Sequence, residues 1–248
     1  MGGTGVPPAG WAAQLNRWAA LPELTMRRQA LLQALLQATA VEGTELLEAL
    51  MRQVRGDQPT GVAVYLAILE FGPLQQALGP ARLLALALAA RATAPLAELW
   101  LRAVRDVPVT TPQDAALLVH AALREVSLGE RRALARRASG DLLNRLTWDP
   151  DPTVIAHLMD NPHVTESHVL AVCARRPTLP APLLQLLQHP RWSSRYRIRL
   201  ALVQNPYLPW GRAVPLMLLL RDVDLRPLAQ DASLSPAARQ AAAQLLAA

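Results

Sequence analysis

The chain contains no lysine: its 25 arginines stand against 19 carboxylates, for a formal charge of +6 over 248 residues. It has one cysteine, Cys173, which excludes an intrachain disulfide framework. Valine and isoleucine together number 20, and phenylalanine, tryptophan and tyrosine only 10, too few of the strand-favouring types for a β-sandwich or barrel. Long apolar runs are missing as well. Leu83–Ala90 and Ala213–Leu220 reach eight residues each, both bounded by Arg, whereas a bilayer span needs about 20. Met1–Gly10 has neither a basic start nor an apolar run ahead of its two prolines, so it does not read as a secretory signal. Gly2 is followed by Val6 where myristoylation wants Ser or Thr. Disorder is excluded too, because a chain that is 52% hydrophobic and 18% charged collapses. These features lead to the expectation of a cytoplasmic protein with no membrane span. Arginine used to the exclusion of lysine reads as GC-rich codon bias, which places Arg wherever a positive charge is tolerated.

What is abundant is leucine (48) and alanine (44), over a third of the chain and among the best helix formers. Residues 1–10 read as a disordered leader rich in Gly and Pro. Residues 11–147 carry apolar side chains at helical spacing, broken at Gln58-Pro59-Thr60-Gly61, Phe71-Gly72-Pro73 and Val107-Pro108. Thr111-Pro112-Gln113-Asp114 has the form of a helix start, Ser127-Leu128-Gly129-Glu130 that of a capping box, and Gly79-Pro80 opens an apolar helix. Eight or nine helices are expected in this segment.

From residue 148 the composition shifts, with 12 of the 21 prolines in the last 99 residues. Asn161-Pro162-His163-Val164-Thr165, Arg176-Pro177-Thr178-Leu179-Pro180 and Asn205-Pro206-Tyr207-Leu208-Pro209 share one pattern, echoed loosely by Asp231-Ala232-Ser233-Leu234-Ser235. Proline pushes the residue before it out of the helical region, so each dipeptide stops a helix, and the Thr or Pro three residues on starts the next. A shift of 44 residues superposes Trp148 on Trp192, Val154 on Ile198, Leu158 on Leu202, Met159 on Val203, Asn161 on Asn205 and Val164 on Leu208. A period of this size belongs to paired-helix repeats, which bury their apolar faces only by stacking. Residues 148–248 therefore read as an α-solenoid whose last helix, from Ser235, acts as a terminal cap.

These Asn-Pro steps between short helices resemble the leucine-rich repeat variant and HEAT-like α-solenoid families. The resemblance covers about two-fifths of the chain and implies an all-α, right-handed superhelix of short Pro-punctuated helices that binds macromolecules. Some variant-repeat proteins carry an iron–sulfur cluster. Here the lone Cys173 cannot supply the four thiolates such a cluster usually takes. HEAT-like alkylpurine DNA glycosylases are similar in size and charge, but none of their motif residues can be matched in this chain.

No constellation for catalysis emerges. His157, Asp160 and His163 are interrupted by Pro162, and His163, Glu166 and His168 depart from helical zinc spacing. No Gly-rich phosphate loop and no Gly-x-Ser-x-Gly occurs. The expectation is a non-enzymatic protein with no cofactor and no metal. The uneven feature is charge: Ser167–Arg221 holds eight arginines and no acid, interleaved with Trp192, Tyr196, Tyr207 and Trp210. Arg191, Arg195 and Arg199, four apart, are expected on one helical face, and Arg131, Arg132, Arg136 and Arg137 form a second cluster. The candidate binding surface is Arg175, Arg176, Arg191, Trp192, Arg195, Tyr196, Arg197, Arg199 and Arg212. Its expected partner is a protein with an acidic surface, which makes the chain a scaffold or adaptor. The alternative is a nucleic acid, with phosphates on Arg and bases on the aromatics.

Overall fold

Leu- and Ala-rich segments punctuated by Pro and Gly fold here into helices. The computed structural model describes residues 8–69, 72–106 and 119–248. Among these residues it holds sixteen α-helices and no strand. The chain opens with α1 (Pro8–Ala19), α2 (Leu24–Gln37), α3 (Ala40–Arg55), α4 (Pro59–Leu66), α5 (Gly72–Ala90) and α6 (Pro95–Arg105). It continues with α7 (Leu128–Ala135), α8 (Gly140–Leu146), α9 (Pro152–Asp160), α10 (Glu166–Ala174), α11 (Pro180–Gln188), α12 (Pro190–Ser193) and α13 (Tyr196–Val203). The last three are α14 (Trp210–Met217), α15 (Asp222–Gln230) and α16 (Pro236–Ala247). Of the expected leader, residues 1–7 lie outside the described residues, while Pro8–Gly10 already belong to α1. The helix start at Thr111 and the break at Val107-Pro108 also lie outside the described residues. Gly79 breaks α5 with φ 69°, a left-handed value that glycine adopts without a Cβ clash, and Pro80 restarts the helix.

Two compact units divide these helices. One joins the described residues of Met1–Val107 to Trp210–Gln230 and Pro236–Ala248; the other takes those of Pro108–Pro209 with Asp231–Ser235. The composition shift at residue 148 falls inside the second unit, between α8 and α9. The final helix, α16, packs on α14 and α15 in the first unit.

In the first unit α3 is the hub, touching α1, α4, α5 and α6. A capping box starts it: the Glu42 amide donates to Thr39 Oγ1 at 3.2 Å, and the Thr39 amide donates to Glu42 Oε2 at 2.8 Å. Leu46, Leu47, Leu50, Met51 and Val54 are buried from this helix, each contributing about 1.5–3 kcal/mol of apolar transfer energy. The buried Glu48 accepts from the Ala97 amide at 2.9 Å, satisfying an orphan donor in the first turn of α6, and pairs with Arg52 at 2.9 Å. The N-terminal and C-terminal stretches of this unit are bound together directly. Tyr65 Oη donates to the Pro215 carbonyl at 3.0 Å, and Arg55 donates to the Leu220 carbonyl at 2.6 Å and pairs with Asp222. α14 approaches α6 closely enough that a Cβ on Gly211 would sit 2.6 Å from the Ala103 carbonyl oxygen.

In the second unit α9 packs on α7 and on α11, while α10 packs on α13. The expected capping box at Ser127 is formed: the Glu130 amide donates to Ser127 Oγ at 3.3 Å, and the Ser127 amide donates to Glu130 Oε2 at 3.0 Å. Pro180 starts α11 as expected. The paired positions of the 44-residue repeat are buried alike, Val154 with Ile198, Leu158 with Leu202, Met159 with Val203 and Val164 with Leu208. The asparagines repeat one structural solution. Asn161 Nδ2 donates to the carbonyls of Ala135 (2.8 Å) and Ala138 (2.9 Å), where α7 ends, while its Oδ1 accepts from the His163 amide at 2.8 Å. Asn205 Nδ2 donates to the carbonyls of Cys173 (2.7 Å) and Arg175 (3.1 Å), where α10 ends, and its Oδ1 accepts from the Tyr207 amide at 2.9 Å. Each asparagine thus closes its own turn and caps the carbonyls of an earlier helix.

The tryptophans of the repeat do not match in this way. Trp192 is buried, its indole N–H donating to the Met159 carbonyl at 3.1 Å, whereas Trp148 is 48% exposed. The difference follows from the neighbours: two arginines cover the Trp192 ring, and only the Arg175 guanidinium, 5.4 Å from the ring centroid, lies over Trp148.

Candidate interaction surface

The nine residues of the candidate surface have different fates. Arg175 is buried beside Trp148; desolvation lowers its pKa, and the nearby Asp149 carboxylate opposes that fall. Arg199 is buried too, and its guanidinium donates to the carbonyls of Ser193 and Ser194, each at 2.7 Å, closing the end of α12. Arg176 is exposed and donates to the Gln204 carbonyl. Arg212 lies on α14 in the first unit, where partial burial lowers its pKa. The expected single face through Arg191, Arg195 and Arg199 is not formed. The helix stops after Ser193 and restarts at Tyr196, so Arg191 belongs to α12, Arg195 to the break and Arg199 to α13.

Four of the nine do come together. Trp192 is sealed by the guanidinium carbons of Arg191 and Arg195, 4.4 and 4.9 Å from its ring centroid. Tilted against it at 6.5 Å is the ring of His189. Arg195 pairs with Glu166 Oε2 at 2.6 Å, and Arg197 stands 3.6 Å from Glu166 Oε1 with 74% of its side chain exposed. Tyr196, half-buried, lies between these two arginines in the chain. The packing of α10 on α13 is what brings Glu166, the first residue of α10, to the start of α13. Two guanidinium groups, Arg195 and Arg197, therefore share one carboxylate, and Arg195 and Arg191 cover a buried indole. Glu166 precedes the acid-free stretch Ser167–Arg221 by one residue, so counting along the chain left it out of the cluster it completes.

Three of the four arginines of the second group reach α9 or the turn before it. Arg131 pairs with the buried Asp149 at 2.7 Å, Arg132 reaches Asp151 at 3.3 Å, and Arg136 Nη2 lies 3.0 Å from His157 Nε2. Asp151 in turn accepts from the amides of Thr153 and Val154, both at 3.0 Å, and so caps α9.

Three of the histidine and acid residues around Pro162 are held by different partners. Asp160 meets His189 at 3.1 Å, Glu166 meets the two arginines, and His168 Nδ1 accepts from the Thr165 amide at 3.1 Å at the start of α10. No group of three or more His, Cys, Asp or Glu side chains able to hold a metal ion occurs among the described residues. The Cys173 thiol is buried, and desolvation pushes its pKa up to about 12. None of the described helices is long and apolar enough to cross a membrane. No protein-family model, curated protein or solved structure matches this chain.

Proposed function

We propose that this chain is a non-catalytic, cytoplasmic helical-repeat scaffold that binds a protein partner, with the helices of its second unit forming a right-handed α-solenoid of the leucine-rich-repeat-variant or HEAT-like kind. One observation carries the reading: Asn161 and Asn205, 44 residues apart, perform the same buried capping task with the same three hydrogen bonds. Such recurrence is the mark of stacked repeats, in which each unit completes its neighbour. The packing of α9 on α7 and α11, and of α10 on α13, supports the same arrangement. Stacked helices present a row of side chains to a partner, and solenoids bind through such surfaces.

The test is capture of a partner by the immobilised full chain from nuclease-treated extract of the source cells, followed by reconstitution with the purified partner. A protein that binds stoichiometrically after nuclease treatment is the expected result. Capture that vanishes with nuclease transfers the reading to nucleic acid, and failure to reconstitute any protein complex overturns it.

A further inference from the structure

We infer that the Arg191–Arg195–Arg197 cluster is the docking point of the partner and that it recognises an acidic peptide segment with neighbouring carboxylates, an inference that rests on the scaffold reading above. The first argument is the charge balance within the cluster. Two guanidinium groups, each with five N–H donors, converge on the single carboxylate of Glu166, which Arg195 engages at 2.6 Å and Arg197 at 3.6 Å, while the Arg191 guanidinium lies over the Trp192 ring beside them. One carboxylate cannot saturate that many donors, and Arg197 turns most of its side chain to water. The second argument is preorganisation. Arg191 and Arg195 are held against the Trp192 ring, and that indole is itself fixed by its bond to the Met159 carbonyl. Guanidinium groups held in this way lose less rotamer freedom on binding than free ones would. Glu166 also shows the geometry the cluster accepts, a carboxylate placed between two guanidinium groups.

The same details favour carboxylates on a peptide over a nucleic-acid backbone. A strand of phosphates needs a row of available cations, and five other arginines of this unit are committed. Arg131, Arg132 and Arg145 pair with Asp149, Asp151 and Asp141, while Arg176 and Arg199 donate to helix-end carbonyls. Trp192, the aromatic at the centre, is buried with its N–H satisfied, so it offers no face on which a base could stack. Glu166 would repel a continuous polyanion, while discrete side-chain carboxylates can settle on either side of it.

The experiment is fluorescence anisotropy of the full chain with a labelled glutamate-rich peptide, a glutamine-rich peptide of equal length, and a single-stranded oligonucleotide of equal charge. The glutamate peptide binds and the glutamine peptide does not. Arg191→Gln and Arg197→Gln each weaken binding by about fivefold, the scale of an exposed ion pair, and added salt weakens it further. Glu166→Gln tightens binding because it removes the competing carboxylate, a gain that a purely structural ion pair would not produce. Arg91→Gln, an exposed arginine of the first unit, changes nothing. Circular dichroism melts check folding; should Glu166→Gln unfold, the two exposed arginine variants decide alone. An oligonucleotide that outcompetes the peptide overturns the inference, as does glutamate-peptide binding that ignores Arg191 and Arg197 or is absent. A purified partner that still binds Arg191→Gln/Arg197→Gln overturns this site while leaving the scaffold reading standing; the absence of any partner overturns the scaffold reading itself.

Discussion

Replacing Asn161 by alanine removes one side chain and leaves two buried carbonyls and one part-buried amide without their partner. The Ala135 and Ala138 carbonyls lose their donor, and the His163 amide loses its acceptor. The residue is 1% exposed, so water does not reach the two carbonyls without local opening. Each buried group left unpaired costs about 1–3 kcal/mol, and partial relaxation of the turn brings the total to about 3–5 kcal/mol. Asn205→Ala strands the Cys173 and Arg175 carbonyls and the Tyr207 amide in the same way, so the two losses should agree within about 1 kcal/mol. Both residues belong to the second unit and act on the same unfolding transition. The assay is urea unfolding followed by circular dichroism, in which the midpoint falls by about 1–2 M at constant slope. Asn161→Asp, which turns a carboxylate oxygen toward the two carbonyls, destabilises more at neutral pH than the alanine variant. Asn144→Ala, an exposed asparagine on α8, leaves the midpoint in place. A loss below about 1 kcal/mol at either site, or two losses that differ severalfold, would refute the equivalence of these turns.

Gly211→Ala drives a Cβ to 2.6 Å from the Ala103 carbonyl oxygen and 3.0 Å from that of Asp106, both backbone atoms that cannot swing aside. It should lower stability by about 1–3 kcal/mol, whereas Gly129→Ala, with nothing within 4 Å of the new atom, should leave stability unchanged or raise it in a thermal melt. Cys173, with its thiol pKa pushed to about 12, should resist alkylation in the folded chain at mildly alkaline pH and react once urea is added; rapid native-state labelling would contradict its burial. Hydrogen bonds from Thr39 and Ser127 hold the Glu42 and Glu130 carboxyls below the usual range, so the folded chain binds fewer protons there than the unfolded one. Their stabilisation is present above the ordinary glutamate range and is lost as pH falls through the lowered values. An NMR titration showing either carboxyl at or above its usual value would contradict the capping geometry.

The features legible in the sequence were the local ones. Gly79-Pro80 announces its break because only the conformations of those two residues are at stake, and Ser127 through Glu130 form their box within one turn. The asparagine turns were legible because a repeat prints the same local solution twice. What the sequence did not disclose depends on helices meeting across long separations. Nothing near Gly211 signals that α6 lies against it, and nothing near Glu166 signals Arg195, 29 residues away. The two repeat tryptophans occupy the same register and still differ in burial: two arginines cover Trp192, and only Arg175 lies over Trp148.

The discontinuous make-up of the first unit sets an order of events during synthesis. Its helices α1–α6 leave the ribosome about a hundred residues ahead of α14, which supplies the carbonyl that receives Tyr65 and the glycine that fits against α6. At about 5–20 residues per second, translation makes those first helices wait roughly 5–20 s for their partners. The second unit emerges in that interval with its own asparagine caps already in hand. The chain therefore has all of its second unit but Asp231–Ser235 before its first can close, and a message truncated before residue 210 leaves the first unit without α14–α16.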